Sequence, residues 1–226
     1  MRDPELDHAN MADRREKMLD AAYRLFTENS ITSVTLEEIA QEAGCGKRTL
    51  LRYYDSKPQL VIAVSTWKWT KVIEEYRERR GNENYDEMTA REMLLFYLDS
   101  FLEIYRRNKD MLRFNQLFNV YIQSENVDTR FLLPYQRMIE NLVHEFHILY
   151  EKAKQDNTVR TDIPEEEMFS TSLHLMLAVV TRYAVGLIYH PEKGFDAEKE
   201  LTLQKEMLMS HFCSFKDISG KLRQSH

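Results

Sequence analysis

The chain is poor in the residues that make crosslinks, turns and membrane spans. Its 226 residues include only two cysteines, Cys45 and Cys213, which imply no disulfide framework and, being far apart, give no zinc-ligand spacing. Six glycines and five prolines are too few for a turn-rich all-β fold and favour long helices. The longest apolar run, 175–180, is far shorter than a membrane span, and residues 1–17 lack the apolar core of a signal peptide. We therefore expect a cytoplasmic protein with no membrane segment.

The chain also lacks an excess of positive charge, because 31 Lys and Arg residues are outnumbered by 37 Asp and Glu residues, which gives a formal net charge of −6. Domains that bind nucleic acids are usually basic, so this balance argues weakly against such a function. The cations are unevenly placed, however. Residues 44–60 contain four cations and a single anion, Asp55. The sequence therefore predicts one local basic surface on an otherwise acidic chain.

Apolar residues make up 43% of the chain and recur at helical spacing along most of it. Capping boxes at 35–38, 89–92 and 162–165, an N-cap at Asp196 and a C-terminal glycine at Gly44 mark helix ends. The pattern predicts an all-α fold. The expected helices lie near residues 13–28, 36–43, 47–54, 57–80, 88–106, 109–123, 129–156, 163–189 and 196–213.

Two of these helices, joined at Gly44, have the pattern of a helix-turn-helix. One set of positions is apolar and would form a small core: Leu36, Ile39, Ala40, Ala43, Leu50 and Tyr54. The other face of the second helix is polar and mostly basic, and such a helix fits the major groove of B-DNA. From periodicity alone, an αα-hairpin with a solvated basic face is an equally good interpretation.

Residues 14–60 resemble the signature of the TetR family of transcriptional regulators. The matching positions are Leu25-Phe26, Thr35, Ile39-Ala40, Ala43-Gly44, Thr49-Leu50, Ser56-Lys57 and Leu60. The resemblance implies an N-terminal three-helix helix-turn-helix DNA-binding domain and a C-terminal helical domain that binds a ligand and dimerises. It also implies the function of a ligand-responsive dimeric repressor that binds a palindromic operator in double-stranded DNA.

The resemblance and the basic face together assign DNA contacts to the second, third and fourth helices. The predicted DNA-binding residues are Thr35, Lys47, Arg48, Thr49, Arg52, Tyr53 and Lys57. Thr35 would bind a phosphate at the start of the second helix, and Tyr53 and Lys57 would hold phosphates beyond the recognition helix. Three positions depart from the family pattern, since Gly46 replaces a serine, Arg48 a glycine and Leu51 a tyrosine. The lost tyrosine removes one expected DNA contact, which Arg48 would offset by pairing with guanine.

The chain is accordingly divided into four segments. They are a flexible arm over 1–12, the DNA-binding domain over 13–58, a connecting helix over 59–80, and a ligand-binding and dimerisation domain over 81–226. The last segment begins with a linker-like loop over 81–85.

Aromatic side chains are concentrated between residues 67 and 146. Each one alone is better explained as core, but together they would line a cavity for a small apolar or aromatic effector. Amides among them, such as Asn115, would orient that ligand. The predicted ligand-binding residues are Trp67, Phe101, Tyr105, Phe114, Phe118, Tyr121, Met138 and His174.

Residues 163–213 form two helices with wide apolar stripes. The first is apolar around nearly its whole circumference, which predicts burial on all sides, and Gly186 would let another helix approach closely. One subunit would leave these helices partly bare. We therefore expect a homodimer through residues 163–213, with a single-chain core helix as the alternative.

Other constellations are weaker. His144, His147 and His174 are better explained as surface histidines than as a metal site, and Cys45 as a small buried thiol rather than a redox switch. We predict no metal, no cofactor and no enzymatic activity, since no catalytic motif stands out. The rival functions are a same-family activator, a helical enzyme that uses the aromatic cavity, and a protein-interaction module with a degenerate helix-turn-helix.

Overall fold

The computed structural model describes residues 4–80, 87–125 and 127–213. Over these ranges the chain is almost entirely helical, which confirms the predicted all-α fold. The helices are α1 (Pro4–Asn29), α2 (Leu36–Glu42), α3 (Lys47–Tyr53), α4 (Lys57–Arg80), α5 (Ala90–Arg107), α6 (Lys109–Ser124), α7 (Leu133–Asp156), α8 (Glu165–Val185) and α9 (Ala197–Phe212). A short 3-10 helix, Thr129–Leu132, precedes α7, and one antiparallel bridge joins Val159 to Cys213.

Three predicted helix starts are confirmed by individual hydrogen bonds. The Glu38 amide donates to the Thr35 hydroxyl at 3.2 Å, and the Thr35 amide donates to the Glu38 carboxylate at 2.7 Å. Thr89 begins α5 with the same reciprocal pair, and Asp196 accepts from two amides at the start of α9. These bonds satisfy amides that have no partner within the helix itself.

The first helix is longer than the sequence predicted. It begins at Pro4, so residues 4–12, which were predicted as an arm, continue α1. Proline suits a first helical position because it has no amide hydrogen to leave unpaired, and no glycine or proline interrupts the chain from residue 5 to residue 29. Residues 1–3 and the predicted loop at 81–85 lie outside the described residues.

The ends of α8 also differ from the prediction. The expected capping box at its start is wrong, because the Asp162 carboxylate pairs with the Arg160 guanidinium at 2.7 Å and Pro164 occupies the cap without a side-chain bond. The helix stops at Val185 because Gly186 has a φ of +106°, outside the helical region. The predicted close crossing of another helix required Gly186 to lie within α8. Gly186 instead ends α8, so that prediction is wrong.

The chain forms two compact units. The first unit comprises Met1–Ile73 and Arg113–Met138, and the second comprises Glu74–Leu112 and Ile139–His226, as far as these residues are described. In the first unit Phe114 is fully buried, with its ring centroid 5.4 Å from that of Tyr23 and 6.4 Å from that of Phe26. Residues 113–138 therefore pack with the N-terminal helices. The functional division into segments 13–58, 59–80 and 81–226 stays a prediction.

The core of the second unit is built by α5, α7, α8 and α9. Its fully buried residues include Leu94, Leu98, Met176, Val180 and Leu201. Only one side of α8 joins this core: Leu175 and Val185 are 42% and 50% exposed, so a single chain leaves this helix partly bare, as expected. Burial of its other side in a dimer stays a prediction. Among the described residues, α8 alone is long and apolar enough to cross a membrane. Its packed inner face is typical of a core helix.

Candidate nucleic-acid interface

The turn between α2 and α3 is held by backbone hydrogen bonds around Gly44. The Gly44 amide donates to the Gln41 carbonyl at 3.1 Å, and the Cys45 amide donates to the Ala40 carbonyl at 2.8 Å. This pair of bonds is the Schellman motif, which needs a left-handed residue where Gly44 has its φ of +66°. The predicted C-terminal glycine is confirmed, and the turn leads directly into α3.

Apolar packing fixes the second helix of the motif against the first. Ile39 and Leu50 are fully buried, and Tyr54 is only 2% exposed. Leu36 and Ala43, which were also predicted for this core, are half-buried at its edge. The helix-turn-helix predicted from the sequence is therefore present, with its inner face defined by Ile39 of α2, Leu50 of α3 and Tyr54 at the C-terminal cap of α3.

The outer face of α3 presents two arginines one turn apart. Arg48 and Arg52 are both exposed and lie on the side of the helix opposite Leu50. Arg48 makes no hydrogen bond or ion pair with the described part of the chain, while the Arg52 guanidinium lies 5.8 Å from the centroid of the Tyr53 ring. A guanidinium on a rigid helix can reach both base edges and phosphates.

Lys47, the first residue of α3, forms an ion pair with Glu37 of α2. Both side chains are largely exposed, so the pair is screened by solvent and exchanges readily. The hydrogen bond from Lys47 holds the pKa of Glu37 below its usual range, so Glu37 is negatively charged at neutral pH. Glu37 was not predicted from the sequence, because no regular spacing connects a residue in α2 to one ten positions later across a turn.

Thr35 is already engaged by its helix cap. Its hydroxyl donates to the Glu38 carboxylate at 2.8 Å while accepting from the Glu38 amide. The backbone and side-chain bonds from Thr35 lower the pKa of Glu38, so a negative charge lies beside the start of α2. A phosphate contact at Thr35 stays a prediction, and it would have to replace or share the bond to Glu38.

Lys57 and Tyr53 are less open than Arg48. The Lys57 ammonium donates to the Thr32 carbonyl at 3.2 Å and lies 5.9 Å from the centroid of the Tyr121 ring. Partial burial lowers the pKa of Lys57. Tyr53 is half-buried, as is Thr49 at the start of α3. All seven predicted residues therefore fall on α2, α3 and their flanks, and their contacts with DNA stay predictions.

Cys45 is half-buried beside the turn, and burial raises the pKa of its thiol. A raised pKa keeps the sulfur in its unreactive thiol form. This supports the interpretation of Cys45 as a packing residue.

The residues predicted to bind a ligand are distributed over both units. Trp67, Phe114, Phe118, Tyr121 and Met138 belong to the first unit, and Phe101, Tyr105 and His174 belong to the second. All except Trp67 and His174 are buried in their own unit's core. Asn115, expected to orient a ligand, instead accepts a hydrogen bond from the Trp69 indole at 3.2 Å. Their roles in ligand binding stay predictions.

The second unit contains buried hydroxyls that no described protein group satisfies. They belong to Tyr97 of α5 and to Ser172 and Thr181 of α8. The Tyr97 ring packs edge-on against Phe101 and Phe146, at centroid distances of 5.4 Å and 5.3 Å. Burial raises the pKa of Tyr97 well above its usual range, so its hydroxyl stays neutral and able to donate. Buried polar groups are normally hydrogen-bonded, so these hydroxyls mark polar positions in an apolar core.

The described residues contain no group of three or more His, Cys, Asp or Glu side chains arranged to hold a metal ion. His144, His147 and His174 are all exposed, and His147 lies 3.0 Å from the Glu165 carboxylate.

Residues 18–64 match the family model described as "Bacterial regulatory proteins, tetR family". A helix-turn-helix transcriptional regulator of Mycobacterium tuberculosis is 49% identical over 48 residues, which are 21% of this chain and 24% of that protein. The chain thus matches about a quarter of the length of this relative. A helix-turn-helix transcriptional regulator of Staphylococcus aureus is 24% identical over 149 residues, 66% of this chain and 72% of that protein.

Solved structures share the fold over most of the chain. The transcriptional regulator FadR from Bacillus subtilis, in complex with stearoyl-CoA, is 16% identical with a TM-score of 0.65, covering 86% of this chain and 97% of that one. GusR of Salmonella enterica is 14% identical with a TM-score of 0.63, covering 88% and 96%. At such identities the similarity shows the fold alone.

Proposed function

We propose that the chain, whose residues 18–64 match the tetR family model, is a cytoplasmic, dimeric repressor of that family that binds a palindromic operator and releases it when a small molecule binds. The observation that carries the proposal is the outer face of α3, where Arg48 and Arg52 are exposed on a helix anchored by buried Leu50 and Tyr54. A rigid helix with this charge fits the major groove, where arginine pairs bidentately with guanine.

The palindromic operator follows from a dimer. Apolar side chains are exposed along α8 and α9: Leu175 is 42% exposed, Val185 50%, Leu203 50% and Met207 70%. Large apolar side chains exposed on two helices that pack together favour a protein interface. Two subunits related by a twofold axis would cover these residues and present two copies of α3 to DNA.

The effector site is proposed for the second unit, where the Tyr97, Ser172 and Thr181 hydroxyls lie in an apolar core and no described group hydrogen-bonds to them. A ligand with a long apolar body and a few hydrogen-bond acceptors would satisfy them. The similar Bacillus subtilis regulator was solved with stearoyl-CoA, a ligand with an apolar chain, which supports this class. Release of DNA then requires that the ligand bind the released conformation more tightly than the DNA-bound one.

The proposal is tested by measuring binding to a DNA duplex taken from the region upstream of the gene that encodes this protein. Fluorescence anisotropy should show that the protein binds this duplex, and an unrelated duplex of the same length should displace it only weakly. The double variant Arg48→Ala/Arg52→Ala should lose it, whereas Arg91→Ala, which removes an exposed arginine of α5, should retain it. If the wild-type protein binds neither duplex even at low salt, a protein-interaction module with a degenerate helix-turn-helix is the better function. A same-family activator would raise transcription of a reporter instead of lowering it.

A further inference from the structure

The first unit contains an open cleft of about 530 Å³ beside the end of α3. Its walls come from α1, from Tyr53 and Tyr54, from the first turns of α4, and from residues 130–134. Drug-sized ligands occupy pockets of roughly 300–1,000 Å³, so the cleft is large enough for a small organic molecule. Of the ligand-binding residues predicted from the sequence, Trp67 alone lines it.

The base of the cleft is apolar and rigid. Leu19 and Ile62 are 6% and 2% exposed, so the wall they form is backed by the core of the unit. Half-buried aromatic rings border the opening, namely Tyr53, Trp67 and Phe131. Apolar and aromatic lining of this kind favours a ligand with an apolar or aromatic body.

The cleft also has a cation, Arg15, for which the described residues supply no acidic partner. Arg15 donates from Nε to the Tyr54 hydroxyl at 3.4 Å, and its guanidinium lies 5.8 Å from the centroid of the Tyr54 ring. No carboxylate pairs with Arg15 in the described part of the chain. The other charged groups that line the cleft are neutralised, since Glu16 pairs with Lys71 and Arg130 pairs with Asp128 at 2.5 Å.

We propose that this cleft binds a small carboxylate with an apolar or aromatic body. The carboxylate would accept hydrogen bonds from the terminal nitrogens of Arg15, and the body would pack on Leu19, Ile62 and Trp67. Guanidinium and carboxylate groups match in geometry and charge, so this pair supplies orientation as well as affinity. The site differs from the effector site proposed for the second unit, and its occupation requires neither DNA nor the second unit's hydroxyls.

Intrinsic tryptophan emission reports on the cleft, because Trp67 lines it and Trp69 is buried elsewhere in the unit. We would titrate the full chain with phenylbutyrate and, separately, with its uncharged amide. Phenylbutyrate should change the emission in a saturable way, and the amide should bind about tenfold more weakly or worse, because it lacks the charge-assisted hydrogen bonds. Trp67→Phe should remove the emission change while calorimetry still detects binding.

Variants of neighbouring arginines make the test specific. Arg15→Gln should weaken phenylbutyrate binding about tenfold, Arg15→Lys should weaken it less, and Arg14→Gln, which changes an adjacent exposed arginine outside the cleft, should leave it unchanged. Thermal melting would verify that each variant is folded. No saturable emission change, equal affinity for acid and amide, or equal losses in the Arg14 and Arg15 variants would each overturn the proposal. Because no DNA is present, these outcomes are independent of whether the chain is a repressor.

Discussion

The outer face of α3 and the outer face of α8 and α9 are both exposed, but they differ in what exposure costs. On α3 the exposed groups are guanidiniums, which water solvates well, so the surface is complete in a single chain. On α8 and α9 the exposed groups include Val185 and Met207, 50% and 70% exposed, and water solvates them poorly. A charged surface is stable in water without a partner, whereas a set of exposed apolar side chains favours a partner that is nearly always bound.

The largest expected effect comes from placing a charge on the apolar face. Met207→Asp should weaken dimerisation more than a hundredfold, since burying an unpaired carboxylate costs on the order of 3 kcal/mol or more. Val120→Asp is the matched control, because Val120 is 60% exposed on α6 of the first unit. Sedimentation velocity at micromolar concentration would measure the mass of each protein. A monomeric wild-type protein would contradict the idea that the exposed apolar side chains of α8 and α9 need a partner subunit.

The next effect tests whether the charged face reads sequence. Arg48→Ala should cost about 1–3 kcal/mol of operator binding and relax the base preference at one position in each half-site. Selection from a randomised duplex pool would give the preferred sequence of both proteins. An unchanged preference would show that Arg48 does not contact a base, even if affinity falls.

A smaller effect on DNA affinity distinguishes a residue that contacts phosphates from one that contacts bases. Lys57→Met keeps the aliphatic stem near Tyr121 but removes the charge, so it should weaken all duplexes alike and reduce the slope of log affinity against log salt by about 1. Lys68→Met is the control on the same helix, where the lysine ammonium lies 4.6 Å from the centroid of the Tyr23 ring. If the salt slope of the two variants is the same, Lys57 does not contact a phosphate in the complex.

The smallest effect concerns the ion pair on the charged face itself. Glu37→Gln frees Lys47 from its carboxylate and should strengthen binding to any duplex by less than about fivefold, as expected for an exposed pair. Glu42→Gln breaks a comparable pair between α2 and Arg24 and should leave binding unchanged. The pKa of Glu37 is lowered by Lys47, so the pair is present at neutral pH and is lost as pH falls through that lowered value. The advantage of Glu37→Gln should therefore shrink in anisotropy titrations at progressively lower pH.

Local sequence rules predicted the helix-turn-helix of α2 and α3 well, because its structure depends on residues that are close in sequence. The cap at Thr35, the turn at Gly44 and the buried positions Ile39 and Leu50 follow from spacings of three or four residues. The same rules failed at Asp162, where a competing partner two residues away, Arg160, takes the carboxylate that would have capped α8.

Features that depend on packing between helices were harder to predict. The ion pair of Lys47 and Glu37 needs the angle between α2 and α3, and the separation of Trp67 from Phe101 into different units needs the whole fold. Aromatic residues gathered in sequence suggested one cavity, but helices as long as α4 and α6 carry neighbouring residues into different cores. Hydrophobic pattern identifies which side chains are buried better than it identifies which of them meet.

The backbone conformation at Gly44 suits a D-amino acid better than an L-amino acid. A methyl group added there as an L residue would meet no atom within 4 Å, so size is not the restriction; its φ of +66° is. An L-alanine would pay roughly 1–2 kcal/mol for that conformation. A D-alanine, introduced by chemical ligation, has its preferred backbone angles in the same region and would restrict the unfolded chain more than glycine does. D-alanine at position 44 should therefore make the helix-turn-helix more stable than Gly44 does, and it should leave the exposed side chains of α3 unchanged.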